Sequence, residues 1–466
     1  MRVLLLSHSS AVENLGGAEL SMLQMIDNWR TYDPSVEIMV VSRSPVGLLQ
    51  PELERRAVPW MNLEFGSWVL PQLIVAPEDV YRTARHDFLA TKALVRLIQE
   101  FRPDIVATNT IVAPWAALAA KMVGVPHVWF PSEYGDDHEF AIGVDHTFED
   151  LGALSDLVVT NSAALKTYLS RWIADDKMAV LYPALDFSDI AHRVKDTPPE
   201  WSNPFSTLPE TLRVVCVGRI ARSKGQTRLV RAIAELKKQN VRVEAALVGS
   251  ARDRDLASIR RLIDELDVGD RIVLTGETAN PFSYIAAADI GVVVSVSEGF
   301  GRVTVEYLAA GKPVVAARVG ATPELVADGR TGILYDPADD SALVEALLTY
   351  HRDPASLAAH GAAALAGVDE IVNRNTLPAI VRQIEGCIAA GSAPIERMPH
   401  LVVSWMTLPA TAQQMFGDVG ALVDPHDSVT WTVGNALARP LRVGRRTAGR
   451  IVRRVVPRSI RNGWRA

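Results

Sequence analysis

The sequence predicts an α/β protein: two doubly wound, Rossmann-like units followed by a C-terminal extension. Three observations predict it. Short, near-continuous apolar runs alternate with longer amphipathic stretches, as strands buried on both faces of a parallel sheet alternate with covering helices. The alternation breaks at a proline-rich stretch and then restarts. The 466 residues suffice for two or three domains of ordinary size.

In the first unit, RVLLLS (2–7) is an apolar run that leads through polar and glycine residues into the periodic stretch 19–29. This reads as strand, loop and helix. Further strands are expected at 37–42, 104–109, 127–130 and 157–162, with helices over 87–101 and 113–124. The stretch 197–210 carries four prolines and little periodicity, and reads as a linker. The second unit has expected strands at 212–218, 241–249, 271–276, 290–296 and 313–318, with helices over 226–239 and 257–268 among them. The resulting domains are 1–196, a linker at 197–210, and a second domain over 211–379. No short repeat period is visible.

Composition excludes several classes. The chain is 48% hydrophobic and 22% charged with a net charge of −6, so it is neither wholly disordered nor a basic nucleic-acid binder. Two cysteines, Cys216 and Cys387, cannot build a disulfide framework or a cysteine zinc site, which fits a reducing compartment. Only Val3 to Leu6 are consecutively apolar at the start, too few for a secretory signal. The longest apolar stretch, 111–120, is ten residues and too short to span a bilayer. A soluble cytoplasmic protein is expected. The segment Arg439–Ala466 holds ten arginines and no acid, which leaves a net −16 on the rest. Arginines interleave there with Ile451, Val452, Val455 and Val456. The tail is therefore expected to contact an anionic membrane surface, peripherally on the inner face, or to remain a solvated or docked arm.

Four constellations bear on chemistry. Gly16, Gly17, Ala18 and Glu19 stand between the first strand and helix, where close backbone approach and free amides suit an anion. Taken alone they read as an ordinary glycine-rich turn, and the dinucleotide fingerprint G-x-G-x-x-G is missing. In GRIARSKGQ (218–226), Arg219 and Lys224 follow a strand's carboxyl end, where two cations suit a diphosphate, although taken alone they read as solvated surface cations of a loop. In SEGFGRVTVE (297–306), Glu298 falls in a loop and Glu306 in the helix behind it, seven residues intervening. Carboxylates accept from vicinal hydroxyls, and the amides of Phe300, Gly301 and Arg302 suit phosphate or hydroxyl oxygens. A lone Glu306 would simply complement the helix dipole. VGATPELVADGRTGIL (319–334), with Pro323 and Glu324, reads alone as a turn-rich connector. Asp136, Asp137 and His138 adjoin one another without defining a metal site.

Taken jointly and in this order, these motifs and GKPVVA (311–316) resemble the retaining glycosyltransferases of family 4, over most of residues 1–390. The resemblance implies the GT-B fold, two doubly wound domains facing each other across a cleft. It also implies a helix at 380–392 crossing back to the first domain, ahead of an extension at 393–466. By position, Arg219 and Lys224 would grip the donor diphosphate, Glu306 the ribose, and Glu298 the donor sugar. Gly17 would close on the phosphates, while Gly249, Gly276 and Glu277 would line the base and ribose pocket. The family's cleft histidine is replaced: in HVWFPSEY (127–134), Ser132 stands in its place beside Glu133, so both become candidate acceptor-side residues. His127 lies inside the strand and reads as a core histidine.

The implied reaction moves a sugar from a nucleoside-diphosphate sugar to a glycan, lipid-linked or small-molecule acceptor, with retention. The implied transition state resembles an oxocarbenium ion, and Arg219 and Lys224 oppose the growing diphosphate charge. No cofactor or metal is expected, and nucleic acid is not an expected partner. Two other readings remain open: a sugar-nucleotide epimerase on the same fold, and a non-catalytic nucleotide-sugar binder.

Overall fold

The computed structural model describes residues 1–69, 77–198, 200–278, 280–372 and 376–406. These form two parallel sheets. The first comprises β1 (Arg2–Ser7), β2 (Glu37–Arg43), β3 (Trp60–Leu63), β4 (Ile105–Asn109), β5 (His127–Phe130), β6 (Leu157–Thr160) and β7 (Met178–Val180). Its order is β3-β2-β1-β4-β5-β6-β7. The second comprises β8 (Leu212–Val217), β9 (Val243–Val248), β10 (Ile272–Gly276), β11 (Ile290–Val293), β12 (Val314–Ala317) and β13 (Gly332–Tyr335). Its order is β10-β9-β8-β11-β12-β13.

The apolar runs form these strands because both faces are covered. Val3 and Leu5 pack into a layer with Met22 and Ile26 of the helix Gly17–Tyr32. Leu4 and Leu6 point the other way, into a layer with Leu94 and Ile98 of the helix Pro77–Phe101. The second sheet repeats the scheme, with Val214 and Cys216 facing Leu229 and Ile233, and Val215 facing Val305 and Leu308. Each such side chain, fully buried, contributes roughly 1.5–3 kcal/mol of transfer free energy.

Three strands escaped the sequence reading, β3, β7 and β13, and all three are sheet edges. An edge strand has one neighbour and is short, so its apolar run is weak. WMNL of β3 contains no fully buried residue.

The chain crosses between lobes earlier than the proline-rich stretch suggested. Residues 187–195, assigned by the sequence to the first domain, form a helix that seats Ile190 in the core of the second, and Phe205 of the expected linker joins it there. Amphipathic periodicity marks a helix but not the sheet it covers. The crossing therefore falls at residues 181–186.

The helix Leu377–Ala390 returns to the first lobe, placing Leu377, Ile380, Val381 and Ile384 in its core. Buried Lys121 ties down the segment after this helix, bonding Asp156 at 2.8 Å, Ser392 and the Ala393 carbonyl. The helix His400–Met406 docks beside it: Asp150 accepts from the His400 and Leu401 amides, and Trp405 stacks on Trp115. His146, Glu149 and His400 gather here, with Arg397 and His400 already sharing the Glu149 carboxylate. The start of the extension is thus part of the first lobe. The remainder, including 416–431 and the basic tail Arg439–Ala466, lies outside the described residues. Among the described residues, no helix is long and apolar enough to cross a membrane.

Candidate active site

In a doubly wound sheet, loops part at the carboxyl ends of the strands where the order reverses, opening a crevice. The reversals fall between β1 and β4 and between β8 and β11. The motif loops leave the strands at these two points.

In the second lobe, the loop after β8 and the loop after β11 lock together. Val296 donates its amide to the Ser223 carbonyl at 2.8 Å. Gly225 has φ +67°, and a Cβ there would lie 2.1 Å from the Val294 carbonyl oxygen, so only glycine fits. Lys224 Nζ then reaches Glu298 Oε2 at 2.9 Å, and Ser295 donates its hydroxyl to the same oxygen at 2.9 Å. The Glu298 side chain is 12% exposed and that of Lys224 39%, so the carboxylate is largely enclosed while the lysine side chain still reaches solvent. Arg219, earlier in the same loop, is exposed, and its guanidinium has no partner among the described residues.

Gly301 opens the helix Arg302–Ala309 with φ +91°, and a Cβ there would stand 3.2 Å from Glu298 Cγ. Glu306 lies in the next turn. Burial pushes its carboxyl up, opposed by the charges of Arg302 and Arg193. Burial pushes the Arg302 guanidinium down, opposed by Glu306. Phe300 has its ring in the core, which leaves only its backbone for a ligand. Gly249 and Gly276 line a groove with Ser250, Arg260, Leu274 and Glu277, at the ends of β9 and β10. The Gly249 amide donates to the Gly276 carbonyl, closing the groove's floor.

The first lobe brings its own residues opposite. A Cβ on Gly17 would lie 3.5 Å from Arg302 Cδ, and Arg302 donates to the Ser21 hydroxyl at 3.2 Å. Ser132 and Glu133 follow β5. Glu133 accepts from the Ile111 and Ser132 amides at 3.3 and 3.2 Å. Burial nonetheless pushes its carboxyl up to about 7. The Ser132 carbonyl accepts from Asn161 and sits 2.1 Å from where a Cβ on Gly299 would be. The lobes touch at this point, and a side chain on residue 299 would force them apart.

His127 is the buried core histidine expected. Thr108 Oγ1 lies 2.8 Å from its Nε2, and desolvation lowers its pKa to about 3. The structure adds residues that sequence reasoning missed. His8, at the end of β1, lies 3.6 Å from Glu19, with its Nδ1 buried and unpartnered among the described residues. Glu19 also accepts from the Gly16 amide at 3.0 Å, in the third helical position, where an acid folds back on the helix start. That spacing was a readable signal. Ser295 had none.

Comparisons with known proteins agree with this fold. A family model described as Glycosyltransferase Family 4 matches residues 15–189, and one described as Glycosyl transferases group 1 matches 211–353. The chain is 25% identical over 311 residues to a lipopolysaccharide core biosynthesis glycosyltransferase of Rhizobium meliloti, covering 66% of this chain and 81% of that protein. It is 36% identical over 160 residues to a GDP-mannose-dependent phosphatidylinositol monomannoside mannosyltransferase of Mycolicibacterium smegmatis, covering 32% of this chain and 41% of the relative. That match spans less than half of the mycobacterial protein. Among solved structures, Anabaena HepE in complex with UDP and glucose superposes with TM-score 0.62 at 23% identity, over 82% of this chain and 99% of that one. Sucrose-phosphate synthase of Thermosynechococcus elongatus superposes with TM-score 0.63 at 20% identity, over 84% and 99%. The two facing sheets are the GT-B fold. With a model matched on each lobe and the motif loops meeting at the cleft, the chain belongs to the family 4, group 1 glycosyltransferases.

Proposed function

We propose that this glycosyltransferase moves a sugar from a nucleoside-diphosphate sugar to a hydroxyl acceptor with retention of configuration. One observation carries the reading: Lys224 and Glu298 meet at the second lobe's switch point, with Arg219 exposed on the same loop as Lys224. The Lys224 ammonium spends one donor on Glu298 and has two more for phosphate oxygens. Arg219 offers a fork that matches a diphosphate. Together they oppose the charge that grows on the departing diphosphate, the part a metal would otherwise play, so no metal or cofactor is invoked. Glu298, held by Lys224 and Ser295, faces the donor sugar. Glu306 accepts from the ribose, and the groove of Gly249, Gly276 and Glu277 receives the base. Gly17 and the amides of Phe300, Gly301 and Arg302 approach the phosphates.

The acceptor enters from the first lobe, past Ser132 and Glu133, and attacks from the face the diphosphate leaves. Glycan and lipid-linked acceptors are supported by the rhizobial and mycobacterial relatives' names. UDP in the HepE complex and GDP-mannose in the mycobacterial name support a uridine or guanosine donor. The basic tail is proposed to hold the enzyme on an anionic membrane surface.

A thermal-shift panel of UDP-, GDP- and ADP-sugars tests the donor reading, because a bound ligand raises stability by mass action. One nucleotide series is expected to stabilise the protein, and proton NMR of the first-formed product to show the donor's anomeric configuration. Inversion, or product formation without any acceptor, overturns the reading.

A further inference from the structure

The connector 319–334 acquired no chemistry from its sequence, yet its Glu324 accepts three hydrogen bonds at the boundary between the lobes. Its carboxylate accepts from the Ala164 amide at 2.7 Å, from the Ala163 amide at 3.1 Å and from the Tyr182 hydroxyl at 2.6 Å. All three donors belong to the first lobe or to the crossing segment. Glu324 itself stands on the short helix Thr322–Leu325 of the second.

Each end of this contact is one step from a residue of the cleft. On the second lobe, the Ala321 amide donates to the Glu298 carbonyl at 3.0 Å. Gly320, at φ +49°, leaves no room there: a Cβ on it would lie 2.2 Å from the same carbonyl oxygen. The turn that carries Glu324 therefore also supports the Glu298 loop. On the first lobe, Asn161, two residues before Ala163, donates to the Ser132 carbonyl at 3.2 Å. A chain of contacts thus runs from Glu298 through Ala321 and Glu324 to Ala163, and from Asn161 to Ser132. Gly299 and Ser132 then abut without a side chain between them.

We propose that Glu324 is a positioning residue for glycosyl transfer, latching the second lobe on the first so that Glu298 faces Ser132 and Glu133. The proposal deepens the function proposed above and rests on it for what Glu298 does. The latch itself rests on the contacts alone. A carboxylate suits the task because charge-assisted hydrogen bonds are roughly twice as strong as neutral ones and both oxygens can be engaged at once. Glu324 does not touch the donor groove of Gly249 and Gly276, so its loss leaves diphosphate binding in place while misaligning the two halves of the cleft.

The test uses the full chain with Glu324→Ala, Glu324→Gln and Tyr182→Phe. Hydrogen exchange of the peptide spanning Ala163 and Ala164 reads the latch directly. Calorimetry with UDP and GDP reads the second lobe, and steady-state kinetics reads transfer. Glu324→Ala is expected to speed exchange of those two amides about tenfold or more and to lower kcat by a similar factor. The Kd of the diphosphate that binds should stay within about threefold. Tyr182→Phe, which removes one of three donors, should show the same pattern at smaller amplitude. Should Glu324→Ala not fold, Glu324→Gln and Tyr182→Phe carry the test. Unchanged exchange overturns the latch. So does faster exchange with unchanged kcat, or a loss of diphosphate affinity as large as the loss of transfer, which would mark a ligand contact instead. If wild type binds neither diphosphate, the donor reading fails, and the exchange arm still decides the latch.

Discussion

Lys224 and Glu298 lie 74 positions apart in the chain and 2.9 Å apart in space, joined across the reversal point of the second sheet. Neither is a stability device. Lys224 is more than a third exposed, and such pairs contribute about 0–1 kcal/mol. In the reaction proposed above, the pair would align an anion and a cation where the glycosyl unit and its leaving diphosphate part. Replacing either by alanine should lower kcat by about 10²–10³-fold, the usual effect of removing one preorganised charge-stabilising group. Melting temperature should move little. Near-normal turnover in both variants, measured with the donor found by thermal shift, would remove the site from these residues.

Gly301 tests whether the position of Glu298 matters as well as its charge. Its left-handed φ costs any other residue about 1–2 kcal/mol, and an alanine Cβ would press on Glu298 Cγ. Gly301→Ala should therefore lower unfolding free energy by about that amount. It should lower kcat by on the order of 10²-fold, as small misplacements of a reacting group do. Urea titration separates the two effects. A variant that is destabilised but fully active would show that the Glu298 position is not critical.

How much could be read from the sequence depends on how local each feature is. Strand β11 and the loop behind it are continuous in the chain, so GVVVSVSEGFG announces a buried strand and a glycine-rich turn together. The cations of 219 and 224 stand at a strand's end for the same reason. Contacts between distant segments leave no such trace. Glu324 and Ala163 are 161 positions apart, and nothing in GATPEL indicates which amides its carboxylate will meet. The helix Phe187–Lys195 was not read from the sequence, and its choice of the second lobe depends on where Ile190 finds a core. Ser132 was visible as a departure from the family pattern. Its role as the surface that Gly299 abuts was not, because that requires both lobes in place.

The ten arginines of Arg439–Ala466 give a separate, salt-sensitive prediction. Each basic residue near an anionic leaflet contributes about 1 kcal/mol, within a Debye length of about 8 Å at physiological salt. The full chain should co-sediment with vesicles containing phosphatidylglycerol and be released as salt rises. A chain ending before Arg439 should stay in the supernatant while keeping its activity on a soluble acceptor. Equal sedimentation of the two would place any membrane contact elsewhere.

Glu133 supplies a pH dependence whose direction is fixed by its burial. Desolvation raises its carboxyl from 4.5 to about 7 in the folded chain, despite two backbone amides that favour the anion. Between those values the folded state holds a proton that the unfolded state has released, so stability falls as pH rises through this window. The accumulated loss above about pH 7 is up to about 3 kcal/mol. Glu133→Gln keeps an oxygen for the Ile111 and Ser132 amides and cannot ionise. The two proteins should therefore unfold with similar free energy near pH 4.5, and the variant should gain steadily on wild type up to about pH 8. Asp87, also raised to about 7 by burial, is common to both chains and cancels from the difference. A gap that does not grow with pH in urea titrations would show that the Glu133 carboxyl titrates as it does in water, and that the first-lobe side of the cleft is wetter than its packing implies.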